Sequence, residues 1–227
     1  MAQTQPKHRL NVANLITVSR FPVLVLVVVM LYHGSALIRL LAAPAILVLI
    51  LMDTLDGVVA RRRHEETLVG SALDIAADRA VEVVLWIVYA SLGLISLAIP
   101  VTFVIRGALT DSIRNVALQH GKSAHSMMRT GIGHWLVASS PMRTGYAVVK
   151  IVAFITLAIA LSMASPGGSS PLEPLVRTVA NVATWLSLVL CILRGLPVIM
   201  EMPKLFSSSD LVAAPEHKRQ TPARPGE

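Results

Sequence analysis

Long apolar runs broken by short polar punctuation dominate the chain, and their lengths set the first expectation. Phe21–Tyr32 is one unbroken run, and another extends from Leu40 to Met52. The hydrocarbon core of a bilayer takes about 20 apolar residues per helix, and several blocks reach that length once their flanks are included. Apolar and polar positions mix over Leu10–Arg20, which predicts a short helix lying at the membrane interface. A first span then runs to Tyr32, and His33-Gly34-Ser35 makes a turn. A second span runs from Ala36 to Arg61-Arg62-Arg63, followed by a polar loop over His64–Thr67. Third and fourth helices are predicted over Gly70–Leu92 and Leu97–Gln119, joined tightly at Gly93–Ser96. His120–Met142 is the longest connection. Spans five and six cover Arg143–Met163 and Leu175–Met200, separated by the Ser/Pro/Gly cluster at Ser165–Pro171.

Backbone in lipid must satisfy its own hydrogen bonds, so the expected fold class is all-α. It is a polytopic membrane protein with six transmembrane helices preceded by an interfacial amphipathic helix. Residues 1–206 form one membrane domain. Residues 207–227 are Ser, Pro, Ala and charge, and are read as a disordered cytoplasmic tail. The first apolar block lacks a small-residue cleavage site and is expected to be retained. No internal repeat is apparent.

Composition sharpens this picture. The chain is 54% hydrophobic and only 15% charged over 227 residues, whereas a soluble domain carries roughly a quarter of its residues as charge. The net charge of +7 comes from basic residues at helix ends and in loops. That placement suits anionic headgroups or phosphate substrates and gives no reason to expect nucleic acid. The positive-inside rule puts Arg61–Arg63, the long loop with Lys122 and Arg129, and both termini on the cytoplasmic side. The single cysteine, Cys191, lies in an apolar run, which excludes a disulfide scaffold and predicts simple packing. Trp86, Trp135 and Trp185 are expected as packing or interface anchors. His120, His125 and His134 share one loop without metal-ligand spacing and read as solvated loop residues.

Two pairs of carboxylates interrupt the apolar pattern. Asp53 and Asp56 stand three apart at the end of the second span, and Asp74 and Asp78 four apart at the start of the third helix. Residues three or four apart share a helix face. A short loop makes the two helices antiparallel neighbours, so both pairs converge near the cytoplasmic surface. Carboxylates at membrane depth are costly and mark functional sites by default. Hard divalent cations take such oxygen ligands, Mg²⁺ typically adding water and substrate phosphate. Two ions about 4 Å apart clamp the attacking and leaving oxygens of a phosphoryl displacement. Gly57, Ala60 and Gly70 leave space beside the carboxylates, and Arg61 offers a planar fork to phosphate or a nucleotide. The bland alternative is that these aspartates pair with Arg79 and Arg106 and merely fix helix packing.

The run Asp53-x2-Asp56-Gly57-x2-Ala60-Arg61-x8-Gly70-x3-Asp74-x3-Asp78 resembles the complete signature of the CDP-alcohol phosphotransferase family, with eight fixed positions across 26 residues and no departure. The six-span reading and the cytoplasmic termini agree with that family. The resemblance implies a CDP-linked lipid donor, two divalent ions (Mg²⁺ or Mn²⁺), transfer of a phosphatidyl group to an alcohol, and release of CMP. It implies Asp53, Asp56 and Asp74 as metal ligands. Asp78 would be general base on the acceptor hydroxyl while also touching metal. Asp56, Gly57, Arg61 and Gly70 would line the nucleotide site, and the protein would be a homodimer.

Asn14-x2-Thr17-x2-Arg20 resembles the segment that opens the phosphatidylglycerophosphate synthase branch, where it lies near the nucleotide, so Asn14 and Thr17 join the nucleotide set. In that branch an Arg-Glu-x7-Arg helix and a later Lys-Thr are typical. Arg106-x7-Arg114 comes within one residue of the first spacing, with Gly107 in place of Glu, and Arg143-Thr144 resembles the second element. With Lys150 two turns deeper, Arg106, Arg114 and Arg143 are expected to hold the phosphate of a small phosphorylated acceptor, since arginine grips phosphate in a bidentate way. The alternative is that these cations snorkel or pair with Glu82 and Asp111. The favoured acceptor is glycerol 3-phosphate, with inositol phosphate or another alcohol as alternative. A divalent-cation or proton transporter is the second alternative, but a transport path needs polar groups through the whole bilayer depth. The expected setting is a bacterial- or archaeal-type cytoplasmic membrane, among its lipids, with the active site facing the cytoplasm.

Overall fold

The computed structural model describes residues 12–63, 67–119, 139–167 and 170–200. They form six helices: α1 (Val12–His33), α2 (Ala36–Arg63), α3 (Leu68–Ser91), α4 (Ala98–Gln119), α5 (Ser140–Met163) and α6 (Glu173–Met200). No strand occurs among the described residues. Residues 1–11, the polar loop 64–66, most of the connection after α4 and the C-terminal segment from 201 lie outside them. The expectations for the tail, for the loop histidines and for Trp135 therefore fall outside the description.

The principal helix contacts close into a ring: α1 packs on α2, α2 on α5, α5 on α6, α6 on α4, α4 on α3, and α3 back on α1. Buried alanines at Ala42, Ala43, Ala153, Ala158, Ala180 and Ala183 let the helices approach closely, as small residues do where apolar helices meet in lipid. Inside the ring, Trp86 of α3 packs against Phe103 of α4 at 5.0 Å and Phe154 of α5 at 4.5 Å between ring centroids. The Tyr89 hydroxyl donates to the Phe154 carbonyl at 2.6 Å. Cys191 is buried and free, as a packing residue, whereas Trp185 is exposed on the outer surface.

Local chemistry sets the helix ends. Thr67 caps α3, its Oγ1 accepting from the Gly70 amide at 3.0 Å, so the helix starts at Leu68 rather than at Gly70. Its far end closes with Gly93 at φ +72°, bonds running from Gly93 N to Ala90 O and from Leu94 N to Tyr89 O. That pairing satisfies the last carbonyls of the helix and needs the left-handed backbone that glycine supplies. With Ser139 at the N-cap position, α5 starts at Ser140, three residues before the expected Arg143, and Pro141 fits its first turn because proline needs no amide partner there.

Two features differ from the sequence expectation. The separate interfacial helix does not form: Val12–Arg20 is the opening of α1, continuous with the span despite Pro22. Its polar residues face α2 and α3 rather than solvent, with Thr17 and Arg20 buried. Four helices, α1, α2, α5 and α6, are long and apolar enough to cross a membrane among the described residues. They make this an integral membrane protein. α3 and α4 are of similar length but carry Asp74, Asp78, Arg79 and Glu82, and Arg106, Asp111 and Arg114.

At the end of the bundle where α1 turns into α2, Arg39 and a set of hydroxyls hold the helices, with Arg177 and Glu173 4.0 Å apart at the start of α6. Arg39 donates to Ser165 Oγ at 2.6 Å and to the Tyr32 carbonyl at 3.2 Å. Ser162 donates to the Ala36 carbonyl at 2.7 Å, and Tyr32 and Ser91 share a hydroxyl contact. The opposite end collects the start of α1, the end of α2, the start of α3, the end of α4, the start of α5 and the end of α6.

Candidate active site at one end of the bundle

Asp53 and Asp56 occupy the last turns of α2, and Asp74 and Asp78 the second and third turns of α3. The start of α1 stitches the two helices together. Thr17 Oγ1 lies 2.8 Å from Asp56 Oδ2 and 3.1 Å from the Ala13 carbonyl. A hydroxyl has one proton to give, and the shorter, charge-assisted contact is to the carboxylate. One turn on, Arg20 is 1% exposed. Its Nη1 donates to Asp53 Oδ1 at 2.8 Å and sits 3.7 Å from Asp74 Oδ1, while Nη2 is 3.9 Å from Asp78 Oδ1. The cation of the acidic block is therefore Arg20, not Arg79 or Arg106. Arg79 instead lies 3.7 Å from Glu82 and 3.5 Å from Asp111.

Beside the carboxylates is a cavity of about 460 Å³. Asn14, Thr17, Asp56, Gly57, Arg61 and Gly70, the six residues expected at a nucleotide, all line it, together with Asp74. Asn14 and Thr67 press over Gly70. A Cβ there would stand 2.7 Å from Asn14 Oδ1 and 2.9 Å from Thr67 Oγ1, so only glycine lets α1 and the α3 cap close this wall. Asp56 Oδ1 and Asp74 Oδ1 are buried without a hydrogen-bond partner. Buried polar atoms are normally paired; Asp56 and Asp74 both line the cavity, and with Asp74 Oδ1 no closer to Arg20 than 3.7 Å they keep acceptor positions for an external cation or donor. Among the described residues no three acidic, imidazole or thiol side chains are yet drawn together as a metal cage. The Arg20 guanidinium lies between them.

A second polar group lies further round the ring. Lys150 of α5 donates to Glu82 Oε1 at 3.0 Å and stands 4.7 Å over the Tyr146 ring. The Arg194 guanidinium of α6 approaches the same ring to 5.5 Å. The stem of Arg106 lies against Gly195, whose missing side chain makes the room, and its buried Nε has no hydrogen-bond partner. Arg143 is exposed at the start of α5. The Arg114 side chain falls outside the description. Of the four cations expected at an acceptor, Lys150 is thus engaged by a carboxylate and Arg106 is not. Sequence reasoning carried Arg20 only within the segment expected near the nucleotide, with no role of its own, and gave Arg194 no place. The signal for Arg20 was its step of three from Thr17, and for Arg194 its position as a lone cation in an apolar helix.

The family model described as CDP-alcohol phosphatidyltransferase matches residues 10–194. The chain belongs to that family. The match spans α1 to α5 and most of α6, so it takes in the acidic block, the cavity and the second polar group together. No curated protein matches the chain. As a CDP-alcohol phosphatidyltransferase it is an enzyme that moves a phosphatidyl group from a CDP-alcohol to an acceptor, which favours the transferase over the transporter.

Proposed function

We propose that this phosphatidyltransferase uses CDP-diacylglycerol as donor and glycerol 3-phosphate as acceptor, and releases CMP. The observation that supports it is the cavity in which Asn14, Thr17, Gly57, Arg61 and Gly70 meet the carboxylates of Asp56 and Asp74, each with a buried oxygen that accepts no hydrogen bond. Asn14 and Thr17 bound the nucleotide on the α1 side. Arg61, across Gly57, neutralises phosphate charge. Hard oxygen donors of this kind fit Mg²⁺ or Mn²⁺, and Asp53, Asp56, Asp74 and Asp78 would hold two such ions. When bound, divalent ions would draw charge off the diphosphate and stabilise the leaving CMP oxygen. Asp78 takes the proton of the acceptor hydroxyl. The acceptor oxygen forms a bond to the lipid-side phosphorus, the bond from that phosphorus to the CMP oxygen breaks, and CMP leaves. Positioning and charge neutralisation carry the rate.

The acceptor choice rests on the second polar group. Arg106, whose buried Nε has no hydrogen-bond partner, stands beside a region whose carboxylates, Glu82 and Asp111, already face Arg79 and Lys150. A buried cation without a counter-charge is costly, and an anionic acceptor supplies one. The bundle end that carries all these groups faces the cytoplasm by the positive-inside rule. The test is CMP release from CDP-diacylglycerol by the purified protein with glycerol 3-phosphate, inositol phosphate, glycerol and inositol in turn. Turnover confined to glycerol 3-phosphate is expected. Preference for inositol phosphate moves the assignment to that acceptor. Equal use of the unphosphorylated alcohols refutes the phosphate pocket.

A further inference from the structure

Arg20 is the least expected member of the site. It is 1% exposed, and among the described residues it is the cation that reaches three of the four aspartates, from a third helix. Buried arginine is held in place by its counter-charges, and buried carboxylates by theirs. Four carboxylates converging without a cation would repel one another strongly at low local dielectric. The guanidinium therefore supplies, from within the chain, the positive charge that a divalent ion would bring. Its charge stands where such an ion would bind, and its 2.8 Å bond to Asp53 Oδ1 takes up one of the acceptor positions that the ion would compete for. Asp56 is outside this arrangement: it is held by Thr17, and its Oδ1 remains open.

We propose that Arg20 is an internal counter-cation of the metal site, which holds Asp53, Asp74 and Asp78 together before metal arrives and is displaced from Asp53 when it binds. Arg20 is a positioning residue that acts through the aspartates. This inference rests on the metal-dependent reading of the site. Asp56, whose Oδ1 accepts no hydrogen bond, would give an ion a ligand oxygen without any exchange, and exchange at Asp53 would complete the site. The sign of the effect follows from charge: a cation that competes with metal weakens metal binding, so its removal tightens it.

The experiment uses the full-length protein purified in detergent and Mn²⁺ alone as probe. Mn²⁺ affinity is measured by calorimetry for the wild type, Arg20→Gln and Arg20→Lys, and thermal unfolding is followed in chelator and in saturating Mn²⁺. Arg20→Gln should bind Mn²⁺ at least about tenfold more tightly, unfold earlier than wild type in chelator, and gain a larger rise in Tm from Mn²⁺. Arg20→Lys keeps the charge and should lie near wild type. Unchanged or weaker Mn²⁺ binding by Arg20→Gln overturns the inference while leaving the metal site standing. Failure of the wild type to bind Mn²⁺ overturns the metal reading and the inference with it. Should Arg20→Gln not fold, the wild-type structure with Mn²⁺ decides. An Arg20–Asp53 contact opened beyond hydrogen-bond distance supports displacement, and an intact 2.8 Å contact beside bound metal refutes it.

Discussion

Thr17 and Arg20 lie three residues apart on one helix, yet each engages a different part of the acidic block, Thr17 on Asp56 and Arg20 on the other three aspartates. This divides the aspartates by what each has left to give. Asp53→Asn, Asp56→Asn or Asp74→Asn should each cut CMP release by about a hundredfold or more, since a charge-assisted ligand contact is worth about 1.5–3 kcal/mol and each substitution also changes the charge of the cluster. Asp78→Asn should lose about 10²–10⁴ in kcat, the usual worth of a general base, while CDP-diacylglycerol still binds with near wild-type affinity by calorimetry. Lost donor binding would make Asp78 chiefly a ligand. At this scale the carboxylates were legible in the sequence because helical spacing alone puts each pair on one face. The partner of Asp53 was not, because spacing within one helix says nothing about how α1 is rotated against α2 and α3.

Among the helices, α3 is the one whose exact placement matters most, since it carries two of the aspartates and packs on both α1 and α4. Thr67 and Gly93 fix its two ends. Thr67→Ala removes the capping oxygen and should cost about 1 kcal/mol of stability, read as a lower Tm, with Thr67→Ser restoring most of it. Gly70→Ala sets a methyl group against Asn14 and Thr67 and should raise the KM for the CDP donor more than it lowers kcat. Equal effects on both would mean that the wall at Gly70 serves folding rather than the cavity. Five of the six helices were legible to within three residues from apolar run length and turn residues. α1 was not: its opening looked amphipathic, and only the packed structure shows that its polar face is turned inward onto charge rather than outward onto headgroups.

For the molecule as a whole, the ring of helices gathers the acidic block, the cavity and the second polar group at one end. Chelation with EDTA should abolish transfer, and added Mg²⁺ or Mn²⁺ should restore it. Arg106→Ala should raise the acceptor KM roughly ten- to a hundredfold, the worth of one charge-assisted contact, and leave donor binding nearly intact. The count of spans was the least legible feature, because α3 and α4 are built to helix length yet carry the charges that the chemistry needs, so hydropathy and function pull their sequences in opposite directions. The outer faces of α1 and α2 expose Val25, Leu26, Leu37, Leu41 and Val48, while the proposed substrate cavity lies among the polar ends of the same helices. One reactant is thus met by diffusion in a plane and the other by diffusion in a volume. For the lipid donor the concentration that governs rate is its mole fraction in the sheet, so diluting the membrane with inert lipid slows the enzyme even when the amount of donor in the tube is unchanged.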